Sequence, residues 1–326
     1  MAECGACHAK QWLSSDLPPL EPVSCTKCGH PVIVPSRLRN FEVREIVASG
    51  GMGTVYRAFD VSLERMVAIK MLKREMADDK QVMESFYREA RATAALNHTN
   101  IIHVYSFDEH EGSPYIVMEL ADHGSLDHLI IRDSVVPELQ VLDVGIKVAS
   151  ALESALQRNL LHRDIKPGNI LFNEYGDPKL VDFGLARQAE ENEEYEAAVW
   201  GTPYYVAPEK IQRRGEDFHS DMYSLGGTLY HALTGHVPFE AETVEQVVAG
   251  HVHTPLTPPC DVRPEITQLT SDAIATAMAK EPTQRFATYG QFQMALENAR
   301  SQLLVESLKH QQHADRKEQG RSWWRR

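Results

Sequence analysis

Two groups of residues in this chain have the types and spacing to do chemistry. The first is a set of cysteines, Cys4-x-x-Cys7 and Cys25-x-x-Cys28, with 17 residues between the pairs. That spacing brings four thiolates to one tetrahedral Zn2+ on two knuckle turns. Gly29, directly after the second pair, suits a tight knuckle, and so short a segment otherwise lacks the apolar residues to fold unaided. Cys4-Gly5-Ala6-Cys7-His8 also has the form of a C-x-x-C-H haem attachment, which needs export and leaves Cys25 and Cys28 without a role. Thiol redox chemistry is a minority reading, and His8 and His30, alternative ligands by type, are bystanders where four cysteines are present. The second group is Ile46-Val47-Ala48-Ser49-Gly50-Gly51-Met52-Gly53-Thr54-Val55, a Gly-rich turn between two strand-like runs. Missing Cβ atoms let backbone N–H groups approach a polyphosphate there, although a bare glycine cluster is more often only a tight hairpin.

Further motifs follow in order: Val67-Ala68-Ile69-Lys70, Glu89 in a helical stretch, His162-Arg163-Asp164-Ile165-Lys166-Pro167-Gly168-Asn169, Asp182-Phe183-Gly184 and Ala207-Pro208-Glu209. Together they resemble the protein kinase family over residues 41 to 300. Gly50-Gly51-Met52-Gly53-Thr54-Val55-Tyr56, taken with the loop at 162–169, is similar to the bacterial serine/threonine kinases related to eukaryotic ones. The resemblance implies ATP bound in a cleft between two lobes, Mg2+ (or Mn2+) as cofactor, and protein substrates.

Phosphoryl transfer asks a protein mainly for positioning and charge neutralisation. By resemblance, Lys70 meets the α- and β-phosphates and is held by an ion pair with Glu89. Asp182 and Asn169 are oxygen ligands for Mg2+. Asp164 orients the attacking hydroxyl and accepts its proton. Lys166 stabilises charge on the transferred phosphoryl, and Thr202 hydrogen-bonds Asp164 or Lys166. The ATP site is expected to comprise Val47, Ala48, Gly50, Gly51, Gly53, Val55, Ala68 and Lys70, with Met118 as gatekeeper and the main chain of Glu119 and Ala121 on adenine. Asp221 and Arg285, the latter pairing with Glu209, match scaffold positions. A pseudokinase scaffold is the alternative, separated by the set Lys70, Glu89, Asp164, Asn169 and Asp182, none of which is missing.

The chain departs from the pattern twice. Ala48 stands where the first glycine of the loop is expected, and its methyl group should weaken the loop's reach over ATP. Between Gly184 and Gly201 there is no Ser or Thr, only Tyr195, while Glu190, Glu191, Glu193, Glu194 and Glu196 crowd the segment. Since Arg163 precedes Asp164, the family pattern implies a basic pocket for a phosphate, which glutamates could partly replace. The expectation is activity without phosphorylation of this loop.

The elements that must position these residues read as an α+β, two-lobed fold preceded by a small zinc ribbon at 1–36. A β-rich lobe is expected at about 41–120, with one helix at 78–96 whose apolar positions Val82, Phe86, Ala90 and Ala94 recur every four residues. A helical lobe is expected at about 124–300, with the stripe Leu139, Leu142, Ile146, Ala149, Leu152 and Leu156 along 138–159. The tail at 301–326 loses apolar density and should be poorly ordered beyond about 310.

With 33 basic against 46 acidic residues and a net charge of −13, nucleic acid is not an expected partner. The ribbon has no basic face, so protein docking through residues 1–36 suits it better than DNA. No run approaches the ~20 apolar residues that cross a bilayer, and the N-terminus lacks a signal-peptide pattern. A cytoplasmic location is expected, in keeping with metal-binding rather than disulfide-bonded CxxC pairs.

Overall fold

A computed structural model describes residues 2–14, 16–50, 53–183, 187–188 and 203–323, with 187–188 and 310–323 as backbone alone. The chain divides into two compact units, residues 1–123 with 172–184, and residues 124–171 with 185–326.

The first unit begins with two hairpins. β1 (Ala2–Glu3) pairs with β2 (Lys10–Gln11), and β3 (Val23–Ser24) with β4 (Pro31–Val32). They are tied together by Gln11, whose buried side-chain oxygen accepts from Thr26 N at 3.0 Å. The chain then enters a six-stranded antiparallel sheet of order β5-β6-β7-β8-β10-β9. Its strands are β5 (Ser36–Leu38), β6 (Phe41–Ser49), β7 (Gly53–Asp60), β8 (Arg65–Leu72), β9 (Val104–His110) and β10 (Ser113–Met118).

Side chains alternate between sheet faces with period 2. One face carries Val43, Ile46, Tyr56, Val67, Ile69, Tyr115 and Val117 into a single apolar cluster, which also takes in Ile33 and Leu38. Ile33, just after the second cysteine hairpin, is 1% exposed. The ribbon therefore shares its core with the sheet.

Helix α1 (Lys80–Ala94) starts where the Asp79 carboxylate accepts from the N–H groups of Gln81 and Val82. Phe86 and Ala90 pack on Leu72 and Ile116. The fourth position of the expected stripe is corrected: Ala94 is exposed and Thr93 is buried. At 3.6 residues per turn a strict period of four drifts off the face, and Thr93 satisfies its hydroxyl on the Glu89 carbonyl at 2.9 Å.

The second unit is helical: α2 (Leu126–Asp133), α3 (Glu138–Leu156), α4 (Pro208–Ile211), α5 (Phe218–Thr234), α6 (Val244–His253), α7 (Pro259–Val262), α8 (Gln268–Ala277) and α9 (Tyr289–Trp323). The buried belt of α3 is wider than the predicted stripe. Val141, Val144, Val148, Ala151 and Ala155 are buried beside Leu142, Ala149 and Leu152, while Leu139, Ile146 and Leu156 are half-buried, because α5 and α9 both pack on it. Gly235 ends α5 in the left-handed conformation at φ +76°, where a Cβ would lie 2.6 Å from the Ser134 carbonyl oxygen. Beyond residue 310 the backbone continues the helix, with α9 running to Trp323. Residues 301–323 contain no proline and one glycine among good helix formers.

Ile33→Ala should therefore cost the first unit about 2–5 kcal/mol. The expected result in urea unfolding is an earlier loss of the β-sheet signal, with Ile131→Ala, at a position 73% exposed, as the unaffected comparison.

Candidate active site and metal centre

In the first unit the sheet face opposite the large apolar cluster carries the candidate nucleotide residues. Register places Val55 opposite both Ala48 and Lys70, and Lys70 opposite Ile116. Ala48, Val55 and Lys70 thus stand side by side across three strands, with buried Ala68 two residues before Lys70 on β8. Val47 is 41% exposed. Gly50 N–H donates to the Gly53 carbonyl at 2.9 Å. A Cβ at Gly53 would lie 2.6 Å from the Met71 carbonyl oxygen, so this glycine is required by strand packing whatever the loop binds. Gly51 lies outside the described residues, as does Thr202.

Lys70 Nζ is 2.5 Å from Glu89 Oε1 and 2.9 Å from Asp182 Oδ1. Burial works against the ammonium charge, but the two carboxylates outweigh it and hold the Lys70 pKa above its ordinary value. The ion pair with Glu89 implied by the resemblance is present. The second partner, Asp182, was not foreseen, and it holds a left-handed backbone at φ +63°. Glu119, at the end of β10, gives its N–H to the His103 carbonyl at 2.8 Å and its carboxylate to Lys179 at 2.5 Å. The Lys179 pairing is also new, since no local motif announces it. Half-buried Met118 precedes Glu119, and the main chain of buried Ala121 makes no hydrogen bond among the described residues.

In the second unit the loop from His162 to Asn169 folds around Asp164. Both Lys166 Nζ, at 2.7 Å, and Asn169 Nδ2, at 3.0 Å, reach Asp164 Oδ2, and Asn169 Nδ2 also donates to the Asp164 carbonyl at 2.8 Å. With its Nδ2 so committed, Asn169 has Oδ1 to offer a cation. Asp164 Oδ1 carries no hydrogen bond among the described residues. The loop backbone is fixed by Asp221 of α5, whose carboxylate accepts from His162 N and Arg163 N, both at 2.7 Å. The pairing of Arg285 with Glu209 is present as a two-pronged contact, both arms 2.8 Å, and Arg285 also bonds the carbonyls of His219, Ala279 and Lys280.

The four N-terminal thiols form a separate centre in the first unit. Sγ atoms of Cys4, Cys7, Cys25 and Cys28 all lie within 4.8 Å of one another, with Cys4–Cys28 at 3.6 Å and Cys7–Cys25 at 3.7 Å. A tetrahedron with metal–sulfur bonds of about 2.3 Å has edges of about 3.8 Å, whereas a disulfide needs about 2.05 Å. The four cysteines could therefore hold one metal ion. Each hairpin turns through a left-handed residue directly after its second cysteine, His8 at φ +54° and Gly29 at φ +77°. The Lys27 backbone N–H, with that of Cys28, pulls the Cys25 thiol down to about 6. Between the first hairpin and strands β5 and β6 lies an open cleft of about 660 Å3. Of its charged residues, Glu45 pairs with Arg57 and Glu42 with Arg44.

The family model for the protein kinase domain matches residues 41–299; the chain belongs to the protein kinase family. Membership implies ATP and Mg2+. Curated relatives include a probable serine/threonine-protein kinase of Clostridium perfringens, 35% identical over 76% of this chain and 36% of the relative. Serine/threonine-protein kinase PknK of Mycobacterium tuberculosis is 39% identical over 76% of this chain and 22% of the relative. Serine/threonine-protein kinase PknB of Mycobacterium leprae is 35% identical over 85% and 45%. The chain spans less than half the length of these relatives. No helix among the described residues is long and apolar enough to cross a membrane.

Glu209 provides a pH test of this scaffold. Burial pushes its carboxyl pKa up, but the Arg285 guanidinium outweighs burial and holds it below the ordinary value of about 4.3. A depressed carboxylate stabilises the fold above its unfolded pKa and loses that contribution as pH falls through the folded one. Glu209→Gln should cost about 3–5 kcal/mol at pH 7. In urea titrations at several pH values, its gap from the parent should narrow below about pH 4.3.

Proposed function

We propose that the chain transfers the γ-phosphoryl of Mg-ATP to serine or threonine hydroxyls of protein substrates. The observation that carries this reading is the half-buried Lys70 ammonium clamped by Glu89 and Asp182. A cation held in this way meets the α- and β-phosphates as a fixed point charge. Ala48, Gly50, Gly51, Gly53, Val55 and Ala68 line the nucleotide, and the Glu119 and Ala121 main chain takes adenine behind Met118. Asp182 and Asn169 serve as hard oxygen donors for Mg2+, which shields the phosphate charge when bound.

Asp164 is the base. Its Oδ2 is tethered by Lys166 and Asn169, so Oδ1 is the oxygen that orients the substrate hydroxyl and takes its proton. Lys166 then stands beside the charge that builds on the phosphoryl in flight, and Thr202 steadies this pair. The lysine at 166 and the names of the relatives favour serine and threonine over tyrosine. A pseudokinase scaffold is disfavoured, since none of Lys70, Glu89, Asp164, Asn169 and Asp182 is missing from the sequence.

Zn2+ is the ion best suited to the cysteine centre, because four thiolates at tetrahedral spacing select a soft cation with closed coordination. The ribbon is then structural and offers a docking face for a protein partner, and the enzyme works in the cytoplasm.

Purified protein incubated with labelled ATP, Mg2+ and a peptide library should label serine and threonine peptides. Asp164→Asn should lower kcat by about 100-fold or more, and an unlabelled library with the parent would overturn the reading. Elemental analysis should find one zinc per chain, lost in Cys4→Ser together with Cys25→Ser.

A further inference from the structure

Arg163 sits immediately before the base in a left-handed backbone conformation, φ +67°, which a non-glycine residue keeps only when its surroundings over-determine it. Its surroundings do so from three directions. Asp221 takes its N–H at 2.7 Å, and Lys210 Nζ donates to its carbonyl oxygen at 3.0 Å. Its guanidinium Nε forms an ion pair with Glu216 Oε2 at 3.5 Å, neither atom making a hydrogen bond among the described residues, and the same oxygen is 3.8 Å from Lys210 Nζ. The side chains of Arg163 and Glu216 are each 11% exposed.

We propose that Glu216 and Lys210 are positioning residues for the base Asp164, with Glu216 supplying, from the loop before α5, the negative charge that a phosphorylated activation segment would otherwise bring to Arg163. The inference rests on the reading of Asp164 as the base. A buried guanidinium without a counter-charge costs several kcal/mol, so the loop geometry depends on some anion at this place. A phosphoryl group would bring about −1.5 to −2; Glu216 brings one charge permanently, and its neighbour Lys210 ties that charge to the Arg163 backbone as well as its side chain. The segment between Gly184 and Gly201 has no serine or threonine to modify. A chain with a built-in carboxylate has no need of one.

The carboxylate is also sensitive to acid. Burial raises the Glu216 pKa above the ordinary value. Lys210 of α4 and Arg163 lower it in part, and Asp221 of α5 and Glu209 of α4 raise it further. As pH falls, Glu216 takes up a proton earlier than an exposed glutamate and releases its hold on Arg163. The kcat of the parent should accordingly decline on the acid side through a step that Glu216→Gln lacks.

The test uses the full chain after phosphatase treatment, with kcat and the KM for ATP measured for the parent, Glu216→Gln, Glu216→Asp and Asp164→Asn. Glu216→Gln should lower kcat at least tenfold, leave the KM for ATP within twofold and flatten the acid limb, while Glu216→Asp recovers most of the rate. An unchanged kcat in Glu216→Gln beside an inactive Asp164→Asn overturns the inference and leaves the kinase reading intact, as does a parent that loses activity to phosphatase. Full activity in Asp164→Asn removes Asp164 as the base and the inference with it, whereas a parent that labels no peptide sinks the kinase reading itself. Should Glu216→Gln fail to fold, Lys210→Met is read by the same criteria. Failure of both to fold makes the cluster scaffold and overturns the positioning role.

Discussion

A cation taken out of water must be given its counter-charge by the fold, and much of this molecule is arranged around that requirement. Lys70 lies on an interior strand, flanked by β7 and β10, where an unpaired ammonium would cost several kcal/mol. Glu89 reaches it from α1 and Asp182 from the segment at 172–184. Three stretches of chain far apart in sequence are thereby held to one point. The same rule recurs with guanidinium groups in the second unit, at Arg285 with Glu209 and at Arg163 with Glu216.

A second constraint concerns backbone rather than side chain. The loop carrying Asp164 is not a helix or a strand, so its N–H groups have no ladder to join, and buried donors without partners are costly. Asp221, anchored in the first turn of α5, supplies both oxygens to His162 and Arg163. Because α5 is buried along nearly its whole length, the loop inherits the rigidity of the helical core. Precision at the reacting atoms is borrowed from packing far from them.

Much of this was legible in the residues. The order of short motifs gave the family, the two CxxC pairs gave the cluster of four thiols, and period-2 runs gave the sheet that carries Lys70. What stayed hidden has physical causes. The width of the buried belt on α3 depends on α5 and α9 both lying against it, which periodicity within one helix does not encode. Ala94 and Thr93 exchanged roles because a hydroxyl can be buried once it finds a carbonyl one turn back. Gly53 looked like a phosphate contact and proved to be needed by the neighbouring strand as well. Lys179, Lys210 and Glu216 have no local signature, since each also depends on a partner tens of residues away.

The shared core of ribbon and sheet bears on the order of events at the ribosome. Ile33 emerges ahead of Tyr115 and Val117, which share its apolar cluster and follow about eighty residues later. During that interval the two knuckle hairpins have their own small cluster of Ala2, Cys4, Cys25 and Val32 but lack the sheet into which Ile33 packs. The thiols can gather locally, but the side chain that joins them to the catalytic sheet must wait for synthesis to pass β10.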